Sequence, residues 1–391
     1  MTGHPPSAIL AGMDTVHISP KRLAWLRGEL AAWEADGLID GDAAAGIQAR
    51  YAASRRFALE RLALVLGAAF VGVGLLWTVA ANYERLSPMA RFAGIVVIWL
   101  VAVVAAELLA SRFPGALPAS VRVIAVAAAG GVVFQTAQSL HVPAGSPELL
   151  GAWAGGALAY AYATRGRAPL VVAVGLSVGW YAWWAAENAG SHGVVAVAML
   201  VAAVFATAVA LLHERWTPAF AAVWRPAGVL LALVGLYVAA FPDRDFRTTG
   251  ALWTGAAVAV VLAAVSVWRS SARGEIAVML GILGAGFLLT VWDPSGSMTS
   301  PSGAMLVRAV AGIVGYVLAA AWFAFLGTSK ALPGVVPLAA GALVVFVTTQ
   351  SFAIFAPLFS GAALFLVLGV VFLGTGVLAQ RGRRLIMEVS R

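Results

Sequence analysis

Gln135, Gln138 and His141 recur at steps of three residues along one apolar stretch. That spacing puts the two amides on one face of a helix, with the imidazole near its end. Amides within a bilayer either line a cavity for a polar solute or bond to neighbouring helices. Other polar and aromatic residues fall at the same level of the chain's apolar runs. Arg91 and Arg308 have the charge to hold an anionic group, and Trp180, Tyr181, Trp183 and Trp184 lead directly into Glu187. Gln135, Gln138, His141, Arg91, Arg308, Trp180, Trp184 and Glu187 therefore form a candidate vestibule for a polar or amphiphilic ligand. The plainer alternative is an interfacial belt, because Trp, Tyr and charged residues anchor span ends. Glu107 is the most embedded carboxylate. It is placed either to carry a proton in a coupled transporter, to snorkel, or to pair with Arg112 or Arg122.

Other chemistry is excluded more firmly. The chain has no HExxH, no GxSxG with a suitable partner set and no P-loop. The segment Gly327–Lys330, GTSK, lacks the first Walker glycine. The five histidines, at 4, 17, 141, 192 and 213, do not cluster at ligand spacing, and there is no cysteine. Disulfides, thiol catalysis and Cys-ligated zinc are thereby ruled out. No catalytic residue, metal site or cofactor is expected, and the chain reads as a non-enzyme.

These side chains are positioned by elements that composition identifies. Hydrophobic residues make up 62% and charged residues 11%, where soluble domains carry about 25% charge. Leu62 to Asn82 is uncharged and, as a helix, spans roughly 30 Å, the thickness of a bilayer core. Twelve apolar runs follow one another at about 62–82, 89–110, 120–141, 148–164, 168–187, 194–213, 226–241, 249–268, 274–292, 304–327, 333–352 and 357–379. With the N-terminus on the cytosolic side, only Arg85, Arg91, Arg244, Arg247 and Arg308 of the 25 basic residues fall outside. Missing one span would reverse every later loop and spoil that asymmetry. The basic residues flank apolar runs singly or in pairs, which argues against nucleic acid as a partner.

The expected fold is all-α: a polytopic membrane protein of about twelve transmembrane helices with a small cytosolic helical hairpin at its N-terminus. Residues 1–18 read as disordered, 19–56 as the hairpin, 57–380 as the bundle and 381–391 as a basic cytosolic tail. In the hairpin, Ser19 and Pro20 start a first helix, Gly37 stops it, and Asp40 or Asp42 caps a second helix bearing Ile47 and Tyr51. That second helix has no evident stop before the first apolar run. Leu23, Leu26, Leu30 and Trp33 form one apolar stripe, which serves either to dock a partner or to pack on the second helix. Arg50, Arg55, Arg56 and Arg61 lie where anionic headgroups would be.

Three segments resemble a bacterial family of predicted membrane proteins, the domain of unknown function 2157 family. Trp33 to Asp40, WEADGLID, resembles its W…GLI turn, and Leu66 to Arg91 resembles its first span and AANW…P…R exit, with Tyr83 replacing the Trp. Gly130 to Trp153 is similar to its later Q-x-Y-x-x-x-G segment, from which Ser139 and Leu140 depart. The resemblance extends over roughly residues 19–185. It implies an N-terminal helical hairpin on a polytopic bundle, and with the charge distribution the expected place is the bacterial inner membrane with both termini cytosolic. It implies no activity.

Two functions remain. One is a transporter or lipid-handling protein with an outward-facing polar vestibule. The other is a non-transporting scaffold, sensor or assembly partner that docks a cytosolic or membrane protein through the hairpin. Membrane lipids are partners in either case.

Overall fold

The computed structural model describes residues 16–18, 20–53 and 87–355 apart from 114, 144, 244, 270–272, 295–301 and 333, together with positions 67, 70, 74 and 366. The rest of the apolar runs at 62–82 and 357–379, Arg55, Arg56, Arg61 and the basic tail lie outside that description. The chain divides into two units, Met1–Ser139 and Leu140–Arg391.

The first unit opens with α1 (Pro20–Ala35) and α2 (Gly41–Ala49). Proline's fixed φ suits the first turn of α1. Gly37, at φ 69°, ends it in a left-handed turn, where the Leu38 N–H reaches the Trp33 carbonyl and the Gly37 N–H that of Glu34. A non-glycine residue there would place Cβ against the backbone. Asp40 caps α2 by accepting from the Ala43 N–H at 2.7 Å. The second helix then departs from the sequence reading. It ends at Ala49 instead of continuing, and Tyr51 lies in β2 (Tyr51–Ala53), paired in parallel with β1 (Val16–Ile18). The β-branched Val16 and Ile18 favour this extended pairing, so a stretch read as disordered carries a short ladder.

Helix α3 (Pro88–Arg112) is capped by Ser87 and packs on α4 (Ala116–Ser139). Small residues mark their contact, with Ala102, Ala106, Ala125 and Ala137 all buried.

The second unit contains α5 (Pro147–Ala163), α6 (Arg167–Asn188), α7 (His192–His213), α8 (Pro218–Ala239), α9 (Gly250–Arg269), α10 (Arg273–Val291), α11 (Gly303–Ser329) and α12 (Val335–Phe355). Its core is the pair α7 and α8. Fifteen residues of α7 are buried, from Gly193 to Leu211, as expected of a helix apolar on every face. Leu200 of α7 projects between α8 and α10 at two glycines: a Cβ on Gly235 would lie 2.7 Å from Leu200 Cγ, and one on Gly286 would overlap Leu200 Cδ1. Only glycine permits that approach.

Helix α8 begins at Pro218, eight residues before the run expected from 226, and carries Pro226 within it. Neighbouring helices make such an internal proline tolerable in apolar surroundings. Among the described residues, eight helices, α3, α4 and α6 to α11, are long and apolar enough to cross a membrane. The protein is thus a multi-helix membrane protein, helical except for its one short ladder among the described residues.

Candidate functional site

The residues singled out from the sequence fall in both units. In the first, Gln135 is buried and Gln138 exposed, so the two amides do not share an environment. Helix α4 ends at Ser139, leaving His141 exposed beyond it in a left-handed turn. Arg91 is half-buried in the first turn of α3. Glu107 receives a two-pronged contact from Arg122, Nε to Oε1 at 3.0 Å and Nη2 to Oε2 at 2.6 Å. Of the roles open to Glu107, the pairing with Arg122 is the one formed. Leu23 and Leu30 are buried, Leu26 is half-buried and Trp33 is exposed. Two members of the apolar stripe are therefore enclosed by the protein's own packing.

In the second unit the aromatic run is engaged locally. Trp180 lies against Gly151, its Nε1 only 2.7 Å from where a Cβ would stand. Trp184 stacks on Tyr181 at 6.2 Å, and Glu187 accepts from Trp183 Nε1 at 2.7 Å. Arg308 is 3% exposed. Its Nε donates to the carbonyls of Leu289 and Trp292, Nη1 to Ala240, and Nη2 to Ala239, Phe241 and Leu289, all at 2.9–3.1 Å. These five carbonyls belong to the C-terminal ends of α8 and α10, where helices have acceptors without intrahelical donors. One guanidinium thus joins the ends of α8 and α10 to the start of α11.

Beside it, Asp243 closes the N-terminus of α7 by accepting from the Gly193 N–H at 2.6 Å, and accepts from the Asp245 N–H at 3.0 Å. Burial pushes the Asp243 carboxyl up. Bonds from Ser191, Asp245 and Gly193 and the nearby His192 outweigh this and hold it below its ordinary value.

The opposite ends of these helices carry a cluster that the sequence reading did not assemble. Glu214 ends α7, Arg225 lies two turns into α8, Glu275 is in the first turn of α10 and Lys330 caps α11. Arg225 Nε meets Glu275 Oε2 at 3.1 Å and Nη2 meets Glu214 Oε1 at 2.9 Å. Lys330 Nζ meets Glu275 Oε1 at 2.8 Å and Glu214 Oε1 at 3.1 Å. Two acids and two bases close a ring of alternating charge. Arg225 and Glu275 are its buried half, each with 7% of its side chain exposed, and Glu214 and Lys330 its half-exposed side.

Local structure supports the placement. An acid at the start of α10 and a base at the end of α11 both complement helix dipoles. Burial pushes the Glu214 carboxyl up, but bonds and charge from Arg225 and Lys330 prevail and lower it. Burial works to lower the Lys330 ammonium, and bonds to Glu275 and Glu214 raise it instead. An aromatic group adjoins the ring: Trp224 Nε1 donates to Tyr162 Oη at 3.1 Å, and Tyr162 packs against His213 and Phe220.

Part of the signal for this ring was present, since the distribution of basic residues places Arg225 and Lys330 on one side of the membrane. Reading Arg225 as a loop residue hid it. Pro218 one residue after Thr217 is a helix start, and it would have put Arg225 inside α8.

Residues 31–171 match the model of a family described as "Predicted membrane protein (DUF2157)". No curated protein and no solved structure matches the chain.

Proposed function

We propose that the protein is a membrane-embedded scaffold that holds a partner or an assembly in the bilayer, rather than a carrier moving a polar solute through an outward-facing vestibule. The observation that carries this reading is that α8, α10 and α11 are tied to one another at both ends. Arg308 joins them at one end and the Arg225–Glu275–Lys330 contacts join them at the other. Alternating access needs one end of a bundle to open while the other closes. Here either movement would strip a buried cation of its partners, which costs several kcal/mol.

In this reading the chain makes twelve spans in a bacterial inner membrane, with both termini and the charged ring on the cytosolic side, in keeping with the distribution of its basic residues. The N-terminal helices are the docking element, presenting Trp25, Trp33 and Leu38, which are exposed. No enzymatic activity is part of it. One observation favours transport as a second reading: Gln135 is a buried amide in α4, outside the tied trio of helices.

The absence of cysteine makes the test clean. Spin labels are introduced as one pair at Ala219 and Thr328, near the ring, and another at Val234 and Leu306, nearer Arg308. Distance distributions are then measured in lipid nanodiscs, with parallel measurements in vesicles under an imposed ion gradient. A scaffold gives one narrow population per pair, unchanged by pH or gradient. Reciprocal changes, with one pair lengthening as the other shortens, would overturn the proposal in favour of transport.

A further inference from the structure

The charged ring leaves part of its hydrogen-bonding capacity free. Arg225 Nε and Nη2 reach Glu275 and Glu214. Its Nη1, which carries two N–H groups, meets no acceptor among the described residues. Thr207, on the facing side of α7, is in the same condition. Thr136, Thr254, Thr290, Thr348 and Thr349 each donate to the carbonyl four residues back in their own helix. The Thr207 hydroxyl has no such bond, although the residue is only 5% exposed. It faces Gly228, one turn beyond Arg225, where a Cβ would lie 2.7 Å from Oγ1.

Both residues line one small cavity, with Glu275, Met279, Trp322 and Phe323 among its other walls. Its volume is about 10 Å³, room for one water and little more. Two features define what it would accept. The ring is charge-balanced, two carboxylates against an arginine and a lysine, so the occupant should be neutral. The walls offer a donor in Arg225 Nη1, an acceptor in the Glu275 carboxylate and a hydroxyl that can act as either, so the occupant should both donate and accept.

We infer that this cavity is a binding site for a single buried water, held by Arg225 Nη1, Thr207 Oγ1 and the Glu275 carboxylate. Three polar partners are the usual number for such a water. The water completes the guanidinium's bonds and links Thr207, within α7, to the ring, to which it has no direct bond.

Two buried methionines on the same pair of packed elements provide the test. Met279 lines the cavity and Met199 does not, yet they are 4% and 1% exposed. Brief X-ray radiolysis makes hydroxyl radicals from bound water where it sits, and these oxidise adjacent sulfur to sulfoxide. Applied to the intact protein in nanodiscs, the experiment should oxidise Met279 several-fold faster than Met199. Thr207→Val should bring Met279 down to the rate of Met199, while Thr207→Ser should keep the difference. Equal rates in the unaltered protein would overturn the inference without reference to any variant. So would a Met279 rate undiminished in Thr207→Val, or one that falls when potassium replaces choline in the buffer, which would indicate a cation instead.

Discussion

Arg225 and Arg308 are both almost wholly buried, 6% and 3% exposed, and both belong to the same knot of helices, yet they are neutralised in different ways. Arg225 faces two carboxylates. Among the described residues, Arg308 has only backbone carbonyls within bonding distance, with Asp293 near enough to act on it through charge. Its counter-charge is largely architectural. A helix C-terminus carries about half a negative charge, so the converging ends of α8 and α10 together supply roughly one. Fifteen residues of α8 separate Arg225 from the Ala240 carbonyl that Arg308 binds, about 22 Å along the axis. That is less than the roughly 30 Å of a bilayer core. A helical bundle can therefore stabilise a deeply placed cation either with acids or with its own helix ends. The first kind is removable in pairs, and the second is built into the fold.

The sharpest break between them is expected at Arg308. Arg308→Met would leave five helix-end carbonyls without their donor. At about 1–3 kcal/mol for each buried acceptor, less what rehydration returns, the net loss should be on the order of 3–4 kcal/mol. Arg308→Lys should recover little, because an ammonium is a point donor and cannot reproduce the guanidinium fork. Thermal unfolding in detergent reads both. A lysine variant within about 1 kcal/mol of the unaltered protein would show that charge alone suffices there.

Arg225 should behave differently in combination. Arg225→Met alone should cost about 3 kcal/mol, since it leaves the buried Glu275 with Lys330 as its one cation among the described residues. Adding Glu275→Leu leaves Glu214 and Lys330 as a pair, and should return stability to within about 1 kcal/mol of the start. No second side-chain change can do this for Arg308. If the double variant is no better than the single one, the two arginines are not distinct in kind.

Why the sequence revealed one arginine and not the other follows from the same difference. Arg308 was conspicuous as a charge within an apolar run, but its acceptors are carbonyls, which every residue has. Nothing in side-chain identity distinguished a helix-end partner from a bound anion. Arg225 was concealed by its neighbour Pro226, which reads as a boundary and made the preceding segment look like a loop. The N-terminal turn was legible up to a choice between Asp40 and Asp42 as the cap, because Gly37 and Asp40 act on the backbone beside them. The described helices from α3 to α12 were legible too, apart from the start of α8, since hydropathy alone marks them. Which of them is central was not: within their spans α7 is 78% buried and α9 17%, at mean hydropathies of 2.7 and 2.0. Lipid and protein interior are both apolar, so hydropathy does not tell a lipid-facing helix from a buried one.

Between the two charged ends, α7, α8 and α10 meet through apolar packing at Leu200, and Leu200 tests its share. Gly286→Val should cost about 1–3 kcal/mol by driving α10 away from Leu200. Leu200→Ala, itself destabilising, should cost less in that background than in the unaltered protein. Additive losses would show that the glycine contact is slack. The uncharged middle would then contribute less to the comparison than the two ends.

The smallest effect expected is the dependence on pH, and it distinguishes the ends by sign and side. Glu214 is lowered in the folded protein, so its contribution is present above the unfolded carboxylate value and is lost as pH falls through the folded one. Lys330 is raised, so its contribution is present below the ordinary lysine value and is lost as pH rises beyond it. Both are about one-third exposed, so each loss should be no more than about 1 kcal/mol. The Arg308 end has its own acid-sensitive group in Asp243, likewise lowered, and no lysine among its described partners. Acid should therefore weaken both ends, and strong alkali the ring alone. Glu214→Gln should remove part of the acid limb and Asp243→Asn another part, while Lys330→Met should flatten the alkaline limb. An alkaline limb that persists in Lys330→Met would mean that another group titrates there, and the pH contrast between the ends would fail.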